Sequence, residues 1–201
     1  VRPSSGARLM QTKAGEEISY KVAYLEMLVA PKLSWPDLPD SNLSLLRLKS
    51  PPLRYFLDLY SSVGSDYEWT DLHSLPVEEI EEFLNHPRVK FYTLMKEGWP
   101  AGFFILDNRL KCSCDLAYFG LVPEVIGSGL GKFLLKMAVK FAWAIPGIEK
   151  LTVNTCSLDH PNALPLYKKM GFKVFKVVEN KRILKHTRKI DFNNWLSEVR
   201  N

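Results

Sequence analysis

The stretch best equipped for chemistry is Pro123-Glu124-Val125-Ile126-Gly127-Ser128-Gly129-Leu130-Gly131-Lys132. It follows a run that reads as a strand ending at Val122. It leads straight into an amphipathic segment with Lys132, Lys136 and Lys140 in one polar stripe at i, i+4 spacing. Glycines let a backbone come close to a ligand, and successive N–H groups at a helix start form an anion cradle. A pyrophosphate suits such a cradle. A Rossmann fingerprint is excluded because Lys132 stands where a glycine is needed, and Glu149, near the spacing of a ribose ligand, falls before its strand. A Walker A loop is excluded by Ile126 and Phe133. Gly-x-Gly-x-Gly after a strand and Pro-Glu remains, and a tight strand-to-helix turn without a ligand is the plainer reading of the same residues.

Other candidates are weaker. Cys112 and Cys114 share one face of a strand, but a lone Cys-x-Cys without a histidine cluster makes no metal site. Cys156 reads as core. Asp115, the sole acid on the strand before the glycine loop and placed at its beginning, reads as a surface or strand-end carboxylate. His160, in Asp159-His160-Pro161, reads as a helix start more than a base. Glu68-Trp69-Thr70-Asp71 combines carboxylates with an indole, which could hold an amine through ion pairing and cation–π contact; a surface loop is the alternative.

The elements that must position these residues follow from periodicity and turn chemistry. Strands are expected over Ile18–Val29, Leu43–Leu48, Phe91–Lys96, Pro100–Asp107, Cys112–Val122, Leu151–Cys156, Lys173–Val178 and about Arg182–His186, the last two around a turn at Asn180. Helices are expected over Leu53–Val63, Pro76–Leu84, Gly129–Ala144 and Asn162–Met170, with Gly171 as the stop. Glu97-Gly98 reads as a hairpin turn. Strand and helix mix first, then β-β-β-α-β-α-β follows: an α/β (α+β) sheet domain.

Composition narrows the class. The chain has 201 residues, of which 46% are hydrophobic, 12% aromatic and 24% charged, as in a globular domain able to build its own core. Its three cysteines fit no disulfide framework, and a reducing, cytoplasmic setting is expected. The best apolar run, Phe133–Ile148, is broken by Lys136 and Lys140, and VRPSSGARLMQ at the N-terminus lacks the apolar core of a signal peptide. Neither membrane insertion nor secretion is expected. The formal charge of +5 hides a polarity: residues 37–82 balance to −7 and residues 132–189 to +10. The basic half suits a phosphorylated small molecule, or is only a solvated lysine face; no recognised motif supports nucleic-acid binding.

The glycine stretch resembles motif A of the GNAT superfamily of acyl-coenzyme A-dependent N-acetyltransferases, Gln/Arg-x-x-Gly-x-Gly/Ala, here Ile126 to Gly131. Ala163-Leu164-Pro165-Leu166-Tyr167-Lys168-Lys169-Met170-Gly171-Phe172 is similar to that superfamily's Ala-x-x-Leu-Tyr-x-x-x-Gly-Phe. The two motifs occur in order, separated by a helix and a strand. The likeness is clear over Ala101–Val178, weak over the first 85 residues, and nearest to a bacterial group of about 200 residues.

The resemblance implies a single domain over 1–201 with a mixed, mostly antiparallel sheet of six to seven strands, flanked by helices and splayed at the strands before and after the glycine-loop helix. Within it, 1–16 would be poorly ordered, 17–87 a variable acceptor-side lobe, and 88–190 the acyl-CoA-binding core. Acetyl-CoA would be co-substrate, with no metal. It would be held by Leu121, Val122, Ile126, Gly127, Ser128, Gly129, Leu130, Gly131, Lys132 and Asn162. Tyr167 would be the acid that protonates the departing sulfur, and Trp69, Asp71 and Phe119 would meet an amine acceptor. Ile126 departs from the motif's Gln or Arg, so one side-chain contact to phosphate is lost. A non-catalytic acyl-CoA-binding or sensing module is the alternative on the same fold. No nucleic-acid or membrane partner is implied, and a homodimer is compatible.

Overall fold

The computed structural model describes residues 10–190 and 192–200. Pro51-Pro52 end strand β3 (Leu43–Leu48) and open helix α1 (Leu53–Gly64), which buries Phe56, Leu59, Tyr60 and Val63 as one stripe. Helix α2 (Val77–Asn85) begins after Pro76, carries Glu78 and Glu79 at its positive end, and buries Ile80 and Leu84. Strands β4 (Val89–Lys96) and β5 (Trp99–Asp107) join through Glu97 and Gly98. Both turn residues are left-handed, at φ 50° and 88°, as a two-residue hairpin of this twist requires. Then come β6 (Ser113–Leu121), α3 (Leu130–Trp143), β7 (Lys150–Cys156), α4 (Ala163–Met170) and β8 (Lys173–Ile183). Outside this series lie β1 (Met10–Thr12), β2 (Glu17–Met27), β9 (Arg188–Ile190) and α5 (Phe192–Arg200).

The main sheet has the order β3-β4-β5-β6-β7-β2-β8, and β1 pairs with β9 apart from it. Pairing is antiparallel from β3 through β6 and parallel between β6 and β7. The mixed seven-stranded sheet with flanking helices is as expected, and two of its strands come from the first 87 residues: β3 at one edge, and β2, which lies between β7 and β8.

By compactness the chain forms two units, Glu26–Val153 and the residues up to Leu25 with those from Asn154 on. In the larger unit, Phe56 of α1 meets Phe91, Phe103 and Tyr118 edge-on at centroid distances of 5.7, 6.1 and 5.6 Å. On the opposite sheet face Tyr92 stacks between Phe104 (4.8 Å) and Phe141 of α3 (4.7 Å). In the smaller unit, Leu158 and Leu184 are buried with Ile18, Tyr20 and Cys156 packed around them. There Lys168 Nζ donates to the Glu198 carbonyl of α5 at 2.8 Å.

Two expectations change. No turn interrupts the chain at Asn180: Val178, Asn180 and Arg182 stay in phase as the half-buried residues of one strand, so β8 runs unbroken to Ile183. Of the segment expected to be poorly ordered, Met10–Thr12 pairs with Arg188–Ile190, and residues 1–9 lie outside the described residues. No helix among the described residues is long and apolar enough to cross a membrane.

Candidate functional site

The site is built on an irregularity in β6. Ile105 pairs with Tyr118 but Leu106 pairs with Leu116, so Ala117 is an extra residue, a bulge. In a regular strand Asp115 and Tyr118, three apart, would point to opposite faces; the bulge turns them to the same one. The parallel ladder with β7 also ends here. It holds Ser113 with Lys150, Cys114 with Leu151 and Asp115 with Thr152, while β6 continues to Leu121. The sheet therefore splays beyond Asp115.

Main-chain groups beyond that point divide by parity. The Val122 N–H donates to Ala101 at 3.0 Å and its carbonyl accepts from Val125 at 3.2 Å. The Val122 N–H is thus engaged within the sheet, which leaves a ligand only the second lone pair of its carbonyl. By the alternation of an antiparallel ladder, the N–H and C=O of Phe119 and Leu121 point away from β5.

The glycine loop follows directly. Pro123–Val125 forms a single 3-10 turn, and buried Val125 and Leu130 anchor the loop at its two ends. Gly127 and Gly129 are left-handed at φ 85° and 84°, and a Cβ on either would find nothing within 4 Å. Gly129 is the N-cap of α3, so the first-turn N–H groups from Leu130 on have no helical partner to satisfy. The Ser128 hydroxyl donates to the Val125 carbonyl at 2.6 Å, pinning the turn between the glycines. Ile126 and Lys132 are exposed beside it. The open space over two left-handed glycines and the undirected first-turn amides fit a pyrophosphate.

Asp115 is half-buried, not a surface carboxylate, and the Thr152 hydroxyl donates to its Oδ1 at 2.5 Å. Burial pushes its pKa above the ordinary carboxylate value; the Thr152 hydrogen bond offsets part of this, and the charge of Asp107 across the ladder adds to it. Tyr118 on the same face is raised to about 12 by burial and then by the charges of Asp71 and Asp115. Around Tyr118 stand Tyr60 (5.8 Å), Phe83 (6.0 Å) and Trp69 (6.2 Å). Trp69 also lies 5.3 Å from Tyr60 and rests on Gly64, where a Cβ would overlap its indole. Gly64→Ala is therefore expected to lower stability by about 1–3 kcal/mol in urea titration and to displace Trp69, an overpacking cost.

The structure brings Trp69 and Asp71 to the Tyr118 face but leaves Phe119 on the other, with its register partner Phe104. Tyr167 lies in the smaller unit, buried in α4 with its ring edge-on to Phe172 at 5.9 Å. Gly171, left-handed at φ 106°, ends that helix with bonds from its own N–H to Lys168 and from Phe172 to Tyr167. Asn162 stands exposed at the N-cap, its N–H donating to His160 Nδ1 at 3.1 Å, which gives His160 the helix-start role. Cys112 sits in a left-handed turn at φ 57° before β6, so it shares no strand face with Cys114. Burial raises the Cys114 thiol to about 12 and pushes Cys156 up as well, so neither is a thiolate at neutral pH. Among the described residues no three His, Cys, Asp or Glu side chains gather as metal ligands.

Comparisons with known proteins give the family and the fold. The profile of the Acetyltransferase (GNAT) family matches residues 56–172. No curated protein matches the sequence. Among solved structures, a GCN5-related N-acetyltransferase from Kribbella flavida superimposes with a TM-score of 0.54 at 14% identity, over 89% of this chain and 60% of its own. This chain therefore spans less than two thirds of that protein. A GNAT acetyltransferase from Elizabethkingia anophelis, solved with acetyl-CoA bound, gives 0.52 at 19% identity over 68% and 80%. An aminoglycoside acetyltransferase from an uncultured soil metagenomic sample gives 0.53 at 19% identity over 66% and 89%. At these identities the likeness is one of fold.

Proposed function

The chain belongs to the GNAT acetyltransferase family, and on that premise we propose that it moves an acetyl group from acetyl-CoA to the amine of an acceptor by direct attack. The observation that carries this reading is the splay of β6 from β7 beside two left-handed glycines with open space above them. Acetyl-CoA supplies a thioester, which an amine can attack without activation by a metal.

This chain's residues would act as follows. Amides of Gly127 and of Gly129 to Lys132 hold the pyrophosphate, with the α3 dipole adding roughly 0.3–1 kcal/mol. Main-chain groups of Phe119 and Leu121 pair with the extended arm as another strand would, and an N–H among them meets the negative charge that develops on the carbonyl oxygen. Asp115, whose pKa is raised by burial, takes the proton that the amine loses as its new bond to carbon forms. Tyr167 gives a proton to the sulfur as the carbon–sulfur bond breaks; this role rests on its motif. Trp69 and Asp71 line the acceptor side.

Thiol release against a panel of primary amines tests the whole reading. Tyr167→Phe is expected to lower kcat about 10²-fold or more with acetyl-CoA affinity unchanged, the loss typical of a positioned acid. Tight acetyl-CoA binding with no release for any amine would favour the sensing module instead.

A further inference from the structure

The segment after β2 leaves large apolar side chains exposed: Leu28 at 60%, Val29 at 78%, Trp35 at 53% and Leu38 at 51%. Trp35 is nevertheless held in place. Its ring lies 5.4 Å from Phe141, and the ammonium of Lys140 sits 4.8 Å over its face. Lys140 is fixed in turn by donating to the Leu33 carbonyl at 2.7 Å. One turn on, Trp143 is anchored by its indole N–H on the Met27 sulfur at 3.3 Å. Trp35 and Trp143 line an open pocket of about 200 Å³ together with Ala30, Pro31, Val139, Lys140 and Ala144.

We propose that this pocket is a second binding site, for a small single-ring aromatic carboxylate. The size follows from volume: a cavity of roughly 150 Å³ accepts a benzene ring, so about 200 Å³ admits one ring and a short acidic arm. The aromatic preference follows from two indole walls, one of which has its polar N–H already engaged. The negative charge follows from Lys140. Only one of its three donors goes to Leu33, no acid among the described residues lines the pocket, and Lys136 adds positive charge one turn back on α3. Because both walls are fixed before binding, little ordering opposes it. The site is separate from the glycine cradle: the cradle opens α3 and the pocket closes it, fourteen residues or roughly 20 Å along the helix.

The five tryptophans allow a direct test. Protein labelled with 5-fluorotryptophan is titrated with phenylacetate and followed by fluorine NMR, each resonance assigned by Trp→Phe substitution. Trp35 and Trp143 are expected to shift saturably with a midpoint of about 1 mM, as suits a ligand of this size, while Trp69, Trp99 and Trp195 stay still. The uncharged 2-phenylacetamide should bind at least about tenfold more weakly, and Lys140→Gln should erase that difference. Trp35→Ala should remove binding while the resonances of Trp69, Trp99 and Trp195 keep their positions, which shows the fold intact. The absence of any saturable shift, movement of all five resonances together, or equal binding of acid and amide overturns the proposal. No outcome depends on acyl transfer.

Discussion

Valine at Gly129 is expected to weaken acetyl-CoA binding by about a hundredfold or more, while the protein stays folded. Gly129 is left-handed at φ 84° and caps α3, a backbone region that a β-branched residue occupies only under strain of about 1–3 kcal/mol. The strain has two outlets. The loop can keep its shape at that cost, with the valine side chain projecting into the open space where the anion would lie. Otherwise it can relax, turning the first amides of α3 away from their common focus. In either case two or more charge-assisted hydrogen bonds to phosphate are lost, each worth about 1.5–3 kcal/mol, and about 2.7 kcal/mol is a hundredfold in affinity. Gly147 supplies the control. It is left-handed at φ 78°, also has nothing within 4 Å of a Cβ, and lies in the turn beyond the other end of α3. Gly147→Val should cost similar stability in urea titration and leave acetyl-CoA binding in calorimetry unchanged. Equal affinity losses in the two variants, or none in Gly129→Val, would remove the cradle from the reading.

Much of the scaffold was legible because its signals are local. Pro51-Pro52 marks where β3 stops and α1 starts, Glu97-Gly98 carries the two left-handed residues of its hairpin, and Gly171 ends α4 as its position in the sequence suggests. Asn180 is a turn former by type, yet it sits within a strand because its neighbours keep the alternation. Features defined by a partner left no local mark. Nothing in Cys114-Asp115-Leu116-Ala117-Tyr118 announces a bulge, which exists only in the register with Ile105 and Leu106. The engagement of Val122 with Ala101, and the separation of Phe119 from Trp69, follow from that same register. The insertion of β2 between β7 and β8 is a long-range pairing that no window of sequence contains. The candidate cradle shows in the sequence as residue types, whereas the candidate base shows only as a lone acid, its burial set by residues far along the chain.

That acid yields the other large expected effect, because activity and stability should move in opposite directions when it is replaced. Asp115→Asn removes the carboxylate but keeps an oxygen that can accept from the Thr152 hydroxyl. If Asp115 is the base, kcat should fall about 10²–10⁴-fold, the range for loss of a positioned proton acceptor. The wild-type kcat should rise with pH through the elevated pKa of Asp115, since only the ionised carboxylate accepts a proton. That limb should be missing from the variant, while any limb from the acceptor's own ionisation is common to both. Stability carries the opposite sign. A carboxyl group whose pKa is higher folded than unfolded favours the folded state while protonated. That contribution is present below the ordinary value of 3.8 and is lost as pH rises through the elevated one. At neutral pH the ionised, half-buried carboxylate is therefore a net cost, and asparagine should raise the melting temperature there. The gain should shrink as pH falls toward 3.8. A variant that is slower and more stable at neutral pH, with both differences changing over the same pH range, would mark Asp115 as a group kept for its chemistry at the expense of the fold. Retention of activity within about threefold, with the acid limb intact, would take the proton elsewhere. A loss of both activity and stability at neutral pH would instead make Asp115 a structural partner of Thr152.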